Sequence, residues 1–221
     1  MISLVVEAST YAGSAALLDG STLVGERSVA MRGREHEALM PAVAELLLEA
    51  GVSPRQVGRV VCGAGPGSFT SLRIAASIAK GIALAAGAAL VPVSSMALLV
   101  ASRQPRGAGR FLAAVDAMRG EHYVQAFEQS EAGELECASD LTIVPSGTLR
   151  DVAETQRALL IGPQVATGGL VVPHARAAAF ITTLIDALPA VDLASWEPAY
   201  GRLAEAQVKW ESAHGRPLLA G

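Results

Sequence analysis

The order in which strand-like and helix-like segments follow one another constrains this chain most. Residues 2–8 form an apolar run of strand length that includes Glu7 near its end. Gly13–Leu18 come next, then Asp19-Gly20, a hairpin signal because both turn positions tolerate positive φ, and Thr22–Val29 returns. The opening is therefore predicted to be a three-stranded antiparallel meander. Leu39, Val43, Leu46, Leu47 and Ala50 recur at helical spacing, which predicts a helix over Glu37–Ala50 with Gly51 at its C-cap. Arg59–Cys62 reads as a short buried strand, Ser68–Ala86 as a second helix ended by Gly87, and Leu90–Val93 as a fifth strand. The order β-β-β-α-β-α-β joins an antiparallel edge to parallel strands through helical crossovers, which are almost always right-handed. Actin, hexokinase and ribonuclease H cores use this order. The expected fold is α/β, actin/sugar-kinase-like (ribonuclease H-like), with two lobes.

The second half echoes the first in reduced form. After a linker at 103–109, a second meander is predicted over Phe111–Ala117, Glu121–Glu128 and Leu135–Val144. A helix over Ser146–Glu154, a strand over Ala158–Ile161 and a helix over Ala175–Leu188 follow. Leu203–Ala213 reads as a C-terminal helix beyond the Pro198 turn, packing back on the first lobe. The expected division is an N-terminal lobe, 1–102, and an abbreviated C-terminal lobe, 110–221, so the second lobe is the smaller in content.

Composition narrows the function. The 221 residues suffice for a sizeable core, and that core must be aliphatic, because 51% of the chain is hydrophobic but only 4% aromatic. The net charge of −4 comes without a basic stripe; the densest basic stretch is Arg103, Arg106 and Arg110. Autonomous RNA binding is disfavoured, since such affinity rests on neutralising phosphates. Cys62 and Cys137 read as reduced thiols, with no Cys-x-x-Cys or Cys/His cluster for a metal. The first apolar run is too short for a signal peptide, and the segment from Ile74 to Val93 is broken by Lys80, Gly81, Gly87 and Pro92. No membrane span is expected, and a cytoplasmic location is.

The sharpest local motif is Gly63-Ala-Gly-Pro-Gly-Ser-Phe-Thr-Ser-Leu-Arg73, which follows a strand and opens a helix. Ser68 or Thr70 can cap that helix, and free N–H groups at a helix start attract phosphate. Gly65, Gly67, Ser68 and Thr70 are thus candidate phosphate or nucleotide contacts; a tight strand-to-helix turn without ligand is the alternative. Ser68 occupies the third glycine site of a dinucleotide fingerprint, and no Gly-Lys-Ser/Thr follows Gly67, so neither the Rossmann nor the Walker A motif fits. Glu7 and Asp116 each end the first strand of a lobe and are candidate cleft carboxylates, although a lone acid at a strand end also bonds turns. No second acid stands near either in sequence. His36, His122, His174 and His214 form no i, i+4 pair, and no Gly-x-Ser-x-Gly elbow occurs. No catalytic residues are assigned.

The helix over Ser68–Ala86 has almost no polar face, so it must be covered on both sides. Ser77, Gly81 and Ala85 form a small-residue stripe on it. One side can rest on the sheet; the other needs the neighbouring helix or a second chain. The expected partner interface is Leu39, Val43, Leu46, Leu47, Ile74, Ala75, Ile78, Ala79, Ile82 and Ala83.

Gly65-Pro-Gly-Ser-Phe-Thr-Ser-Leu-Arg73 resembles the Gly-Pro-Gly-Ser-Phe-Thr-Gly-Leu-Arg signature of the TsaB (YeaZ) family. Val6-Glu-Ala-Ser-Thr10, His36 with Leu39-Met-Pro41, Asp116-Ala-Met-Arg-Gly-Glu-His-Tyr123 and Pro198-Ala-Tyr-Gly-Arg202 are similar to further motifs of that family, over nearly the whole chain. The resemblance implies an actin-like fold with a reduced second lobe and a part in making N6-threonylcarbamoyladenosine at position 37 of tRNAs that read A-starting codons. It implies a non-catalytic subunit that binds the catalytic paralogue TsaD through its two N-terminal helices, with the ATPase TsaE, and forms a homodimer when alone. It implies tRNA contact only through the complex, no intrinsic cofactor, and ATP or ADP at the complex interface. Glu7 stands where the family usually has Asp, and Ser71 where it has Gly. The rival expectations are a stand-alone actin-fold small-molecule kinase using Glu7 and Asp116, and a glycoprotease-like hydrolase, which the unpaired histidines disfavour.

Overall fold

A computed structural model describes residues 1–31, 37–163, 171–201 and 214. The chain runs β1 (Ile2–Glu7), β2 (Ala12–Asp19), β3 (Thr22–Ala30), α1 (Leu39–Glu49), β4 (Arg59–Gly63), α2 (Phe69–Ala86), β5 (Ala89–Val93) and α3 (Ser95–Ser102). It continues with β6 (Gly109–Asp116), β7 (Glu121–Gln129), β8 (Leu135–Cys137), β9 (Thr142–Pro145), α4 (Leu149–Thr155), β10 (Leu159–Ile161) and α5 (Thr182–Asp186). Five strands form a first sheet in the order β3-β2-β1-β4-β5. β1 is antiparallel to β2 and parallel to β4, and β4 is parallel to β5. The second sheet has β10-β6-β7-β8, with β9 also paired to β7. Because β10 is parallel to β6 and β6 antiparallel to β7, this order repeats β4-β1-β2-β3 of the first sheet in direction as well. The fold is the actin/sugar-kinase-like, ribonuclease H-like α/β fold with a reduced second half.

Alternation along the strands builds three cores. Leu4 and Val6 of β1 face α1 and α2, together with Val60 and Cys62 of β4. Val5 and Val61 face the other way, onto α3 and Phe111, Val115, Tyr123 and Phe127 of the second sheet. Leu112 and Ala114 face outward under α4. The space between the sheets is thus filled by α3 and the 3-10 turn Ala175–Phe180. α2 is the one helix among the described residues long and apolar enough to cross a membrane; here it lies on β4, β1 and β5.

Several boundaries moved, each for a local reason. The hairpin turn is Gly20-Ser21, not Asp19-Gly20: Asp19 still pairs with Thr22, and Gly20 takes the positive φ of 59° at the first central position. α3 was not anticipated; its apolar sequence lacks a polar face because both sheets cover it. The expected strand Leu135–Val144 is broken into β8 and β9. The expected helix Ala175–Leu188 is interrupted at Ile181, whose ψ of 32° is not helical. Arg103, read as linker, is buried; its guanidinium bonds the Val100 and Gly107 carbonyls and Gln129 and sits 3.6 Å over the Phe111 ring. The C-terminal helix expected over Leu203–Ala213, and His36, lie outside the described residues.

His174 latches the second half to the edge strand β3. Its Nδ1 accepts from Arg176 N–H at 3.1 Å, so Nε2 carries the proton toward Ser28 Oγ at 2.8 Å. Burial pushes this imidazole below its usual value, against the pull of Glu26. A lowered folded-state proton affinity means that the unfolded chain protonates first as pH falls, so stability drops from near pH 6.5 downward. Urea midpoints are expected to fall between pH 7 and 5 in the wild type, and less steeply in His174→Gln; equal slopes would refute the latch.

Candidate functional site

Glu7 ends β1 in a sealed socket. It is 0% exposed, Oε1 accepts from Ser9 N–H at 2.5 Å, and Oε2 accepts from Ser95 Oγ at 2.8 Å. β4 passes so close that a Cβ on Gly63 would stand 2.7 Å from Glu7 Cδ. Burial pushes the carboxyl above its usual range, opposed by its bonds from Ser9 and Ser95, and together with Glu7 pushes the Cys62 thiol up as well. Glu7 therefore binds a turn and a helix start; it opens on no cleft, which corrects the cleft reading.

Asp116 ends β6, and its Oδ1 accepts from Met118 N–H at 2.7 Å, capping its own turn. It keeps the alternation of Leu112 and Ala114, which face outward, whereas Glu7 keeps that of Val5, which faces the second sheet. By this alternation Glu7 lies on the face of its sheet turned to the second sheet, and Asp116 on the outward face of the second sheet. Asp116 stands opposite His122, whose Nδ1 meets Ser146 Oγ at 2.9 Å and whose buried Nε2 has no partner. Among the described residues no three His, Cys, Asp or Glu side chains are grouped to hold a metal.

The Gly63–Ser68 loop is a seam between chain segments. Gly65 N–H donates to Ser95 Oγ at 3.0 Å, and Ser95 N–H returns to the Gly65 carbonyl at 3.0 Å. Ser68 N–H donates to the Ser9 carbonyl at 2.7 Å. These amides are committed, so the phosphate reading is corrected at Gly65 and Ser68. A Cβ on Gly67 would lie 2.8 Å from the Ser9 carbonyl carbon: its missing side chain admits Ser9 rather than a ligand. Ser68 stands at the N-cap of α2, but its side chain caps no backbone N–H of the helix; its Oγ instead accepts from Ser71 Oγ at 3.1 Å. Ser71, at the family's glycine position, is thereby accommodated. Thr70 is exposed.

A strap from Val191 to Gly201 then crosses the first lobe. Val191 N–H bonds the Leu90 carbonyl, Trp196 packs beside α2 under Lys80, and Ala199 N–H bonds the Ala64 carbonyl at 2.8 Å. Tyr200 packs on Phe69 with centroids 4.6 Å apart and the rings tilted at 47°, and Arg73 lies over both rings. Gly201 permits this course, since a Cβ there would meet the Tyr123 ring at 2.5 Å.

The expected interface list needs the largest correction. Leu39, Val43, Leu46, Leu47, Ala75, Ala79, Ile82 and Ala83 are all buried against this chain's own sheet, so no partner can reach them. Helical spacing located the apolar stripe but not which body covers it. Only Ile74 and Ile78 are half-exposed; with Glu37, Arg73 and Ser77 they line a shallow groove. The outer stripe of α2 is Thr70, Arg73, Ser77, Gly81, Leu84 and Ala85, and that of α1 carries Met40, Ala44 and Leu48. Leu48 is 80% and Leu84 75% exposed. The signal for these two lay in the sequence: each falls out of phase with the buried stripe of its helix.

The family profile of TsaD, tRNA N6-adenosine threonylcarbamoyltransferase, matches residues 31–142, half of the chain. The tRNA threonylcarbamoyladenosine biosynthesis protein TsaB of Escherichia coli K12 is 35% identical over 132 residues, 59% of this chain and 56% of that protein. The match thus spans about half the length of that relative. The Bacillus subtilis 168 protein of the same name is 26% identical over 95% of this chain and 98% of its own length. A crystal structure of a Pseudomonas aeruginosa protein described as similar to the peptidase YeaZ superposes with a TM-score of 0.77, at 27% identity, over 91% of this chain and 99% of that one. The actin-like fold, the Gly-Pro-Gly-Ser-Phe-Thr seam at the head of α2 and these matches agree: the chain belongs to the TsaB (YeaZ) family, on the fold that family shares with TsaD.

Proposed function

We propose that this chain is a non-catalytic subunit of the machinery that attaches a threonylcarbamoyl group to N6 of adenosine 37 in tRNAs reading A-starting codons. It binds TsaD through the outer stripes of α1 and α2 and supports it together with TsaE. Alone it pairs with a second copy through the same stripes. ATP or ADP is met at the complex interface, and tRNA only through the complex.

One observation carries this reading. The residues able to do chemistry are turned to structural bonds, Glu7 in a sealed socket and Asp116 in its own turn, while Leu48, Leu84 and the groove beside Arg73 leave apolar surface on two adjacent helices. Similarity to proteins named for threonylcarbamoyladenosine biosynthesis supports the pathway. The test is tRNA modification by TsaD and TsaE from the same host, with threonylcarbamoyl-adenylate, in the presence and absence of this chain. The expected result is loss of modification without it. Equal modification in its absence, or magnesium-dependent ATP turnover by the lone chain, would overturn the reading.

A further inference from the structure

Glu7 is a buried acid that the proposed function leaves unused. Around it stand Ser9 from the end of β1, Cys62 and Gly63 from β4, and Ser95 from α3; Cys62 is the other titratable group against it. Ser95 is the junction. Its Oγ donates to Glu7 Oε2 and accepts Gly65 N–H, giving a polarised chain from Gly65 through Ser95 to the carboxylate. Ala64, next to Gly65, holds Ala199 of the strap, and Tyr200 of the strap meets Arg73 of the groove.

We propose that Glu7 is a positioning residue that acts through Ser95 to hold the Gly63–Ser68 loop and, through the strap, the groove beside Arg73, and that protonating Glu7 slackens this assembly. The geometry gives the proton no neutral place. On Oε2 it reverses the Ser95 bond and leaves the hydroxyl hydrogen without its acceptor. On Oε1 it faces the Ser9 N–H, already a donor. Either way Gly65 loses the charge-assisted end of its chain.

A purely structural acid behaves in the opposite sense. Burial raises the proton affinity of Glu7 in the folded chain, so its share of overall stability grows as pH falls and is lost as pH rises through the folded value. If Gly65 merely followed overall stability, its protection would change with pH in step with that of the core amides Leu4 and Val60. The relay predicts poorer protection than theirs at low pH.

Amide hydrogen exchange on the lone chain, corrected for intrinsic rates across the whole pH range in which the chain stays folded, reads the difference. Measured against Leu4 and Val60, Gly65 is expected to exchange about tenfold faster at the acid end, the weight of one hydrogen bond. Glu7→Gln removes the pH dependence, and Ser95→Ala leaves Gly65 fast at every pH. Gly65 tracking the core amides, or slow exchange in a folded Ser95→Ala, overturns the proposal. Should Glu7→Gln fail to fold, the pH dependence of Gly65 against the core amides in the wild type decides. The link to docking rests on the proposed function and is read separately: TsaD affinity of Ser95→Ala is expected to be about tenfold weaker than wild type. Wild type that ignores TsaD defeats the docking reading and leaves the amide result standing. Equal affinity in a Ser95→Ala with fast Gly65 exchange breaks the step from loop to groove.

Discussion

Ala79→Arg is expected to leave no folded chain, whereas Leu84→Arg, five residues on in the same helix, folds normally and loses only its partner. Ala79 and Ala83 are 0% exposed, pressed onto the first sheet among Leu4, Val60 and Cys62. An arginine there buries a charge with no counter-charge, at a cost of several kcal/mol, in a fold whose whole stability is on the order of 10 kcal/mol. It also overfills a close-packed layer. Melting should fall by more than about 10 °C, or the protein should be recovered only as aggregate. Leu84 is 75% exposed, so an arginine there is solvated and should move the midpoint by no more than about 2 °C. Melting curves and co-elution with TsaD separate the two. A soluble, native Ala79→Arg would mean α2 is not seated as described; unchanged co-elution of Leu84→Arg would remove the outer stripe from the interface.

That contrast marks what was legible in the sequence. The order of strands and helices, the αL cap at Gly87 with φ of 66°, and the strand-to-helix seam all follow from local rules: alternation, helical spacing and turn chemistry. So did the resemblance, which rests on contiguous motifs. What failed needed knowledge of the third dimension. The apolar stripes of α1 and α2 were correctly found and wrongly given to a partner, because periodicity does not say whether the covering surface is the chain's own sheet. Glu7 and Asp116 were matched as strand-end acids, but which face each points to depends on how the two sheets stack. Val191–Gly201 carries no periodic signal, so the strap that closes over α2 was visible only as the tyrosine motif Pro198-Ala-Tyr200. α3 was overlooked for the reverse reason: a short, wholly apolar helix between two sheets has no amphipathic pattern to detect.

Gly67→Ala is expected to destabilise the protein by about 3 kcal/mol, the range for a collision that backbone must relieve. The added methyl carbon would stand 2.8 Å from both the carbonyl carbon and Cβ of Ser9 and closer still to its oxygen, which also accepts Ser68 N–H. Neither atom set can step aside, because Ser9 is itself held by its N–H bond to Glu7. Gly63→Ala meets the Glu7 carboxyl instead, and should cost a similar amount because the socket has no room for a rotated side chain. Gly81→Ala supplies the control. A Cβ there meets nothing within 4 Å, and alanine in a helix interior should stabilise by about 0.5–1 kcal/mol. Urea midpoints of the three variants test the ranking. If Gly67→Ala matched wild type, the Ser9 turn would have to yield freely, and the seam joining β1, β4 and α2 could not hold the head of α2 in place. Loss of stability at Gly67 and Gly63 with gain at Gly81 would instead mean that glycine in this motif serves close contact between chain segments, while the glycine of the outer stripe is tolerated because nothing among the described residues covers it.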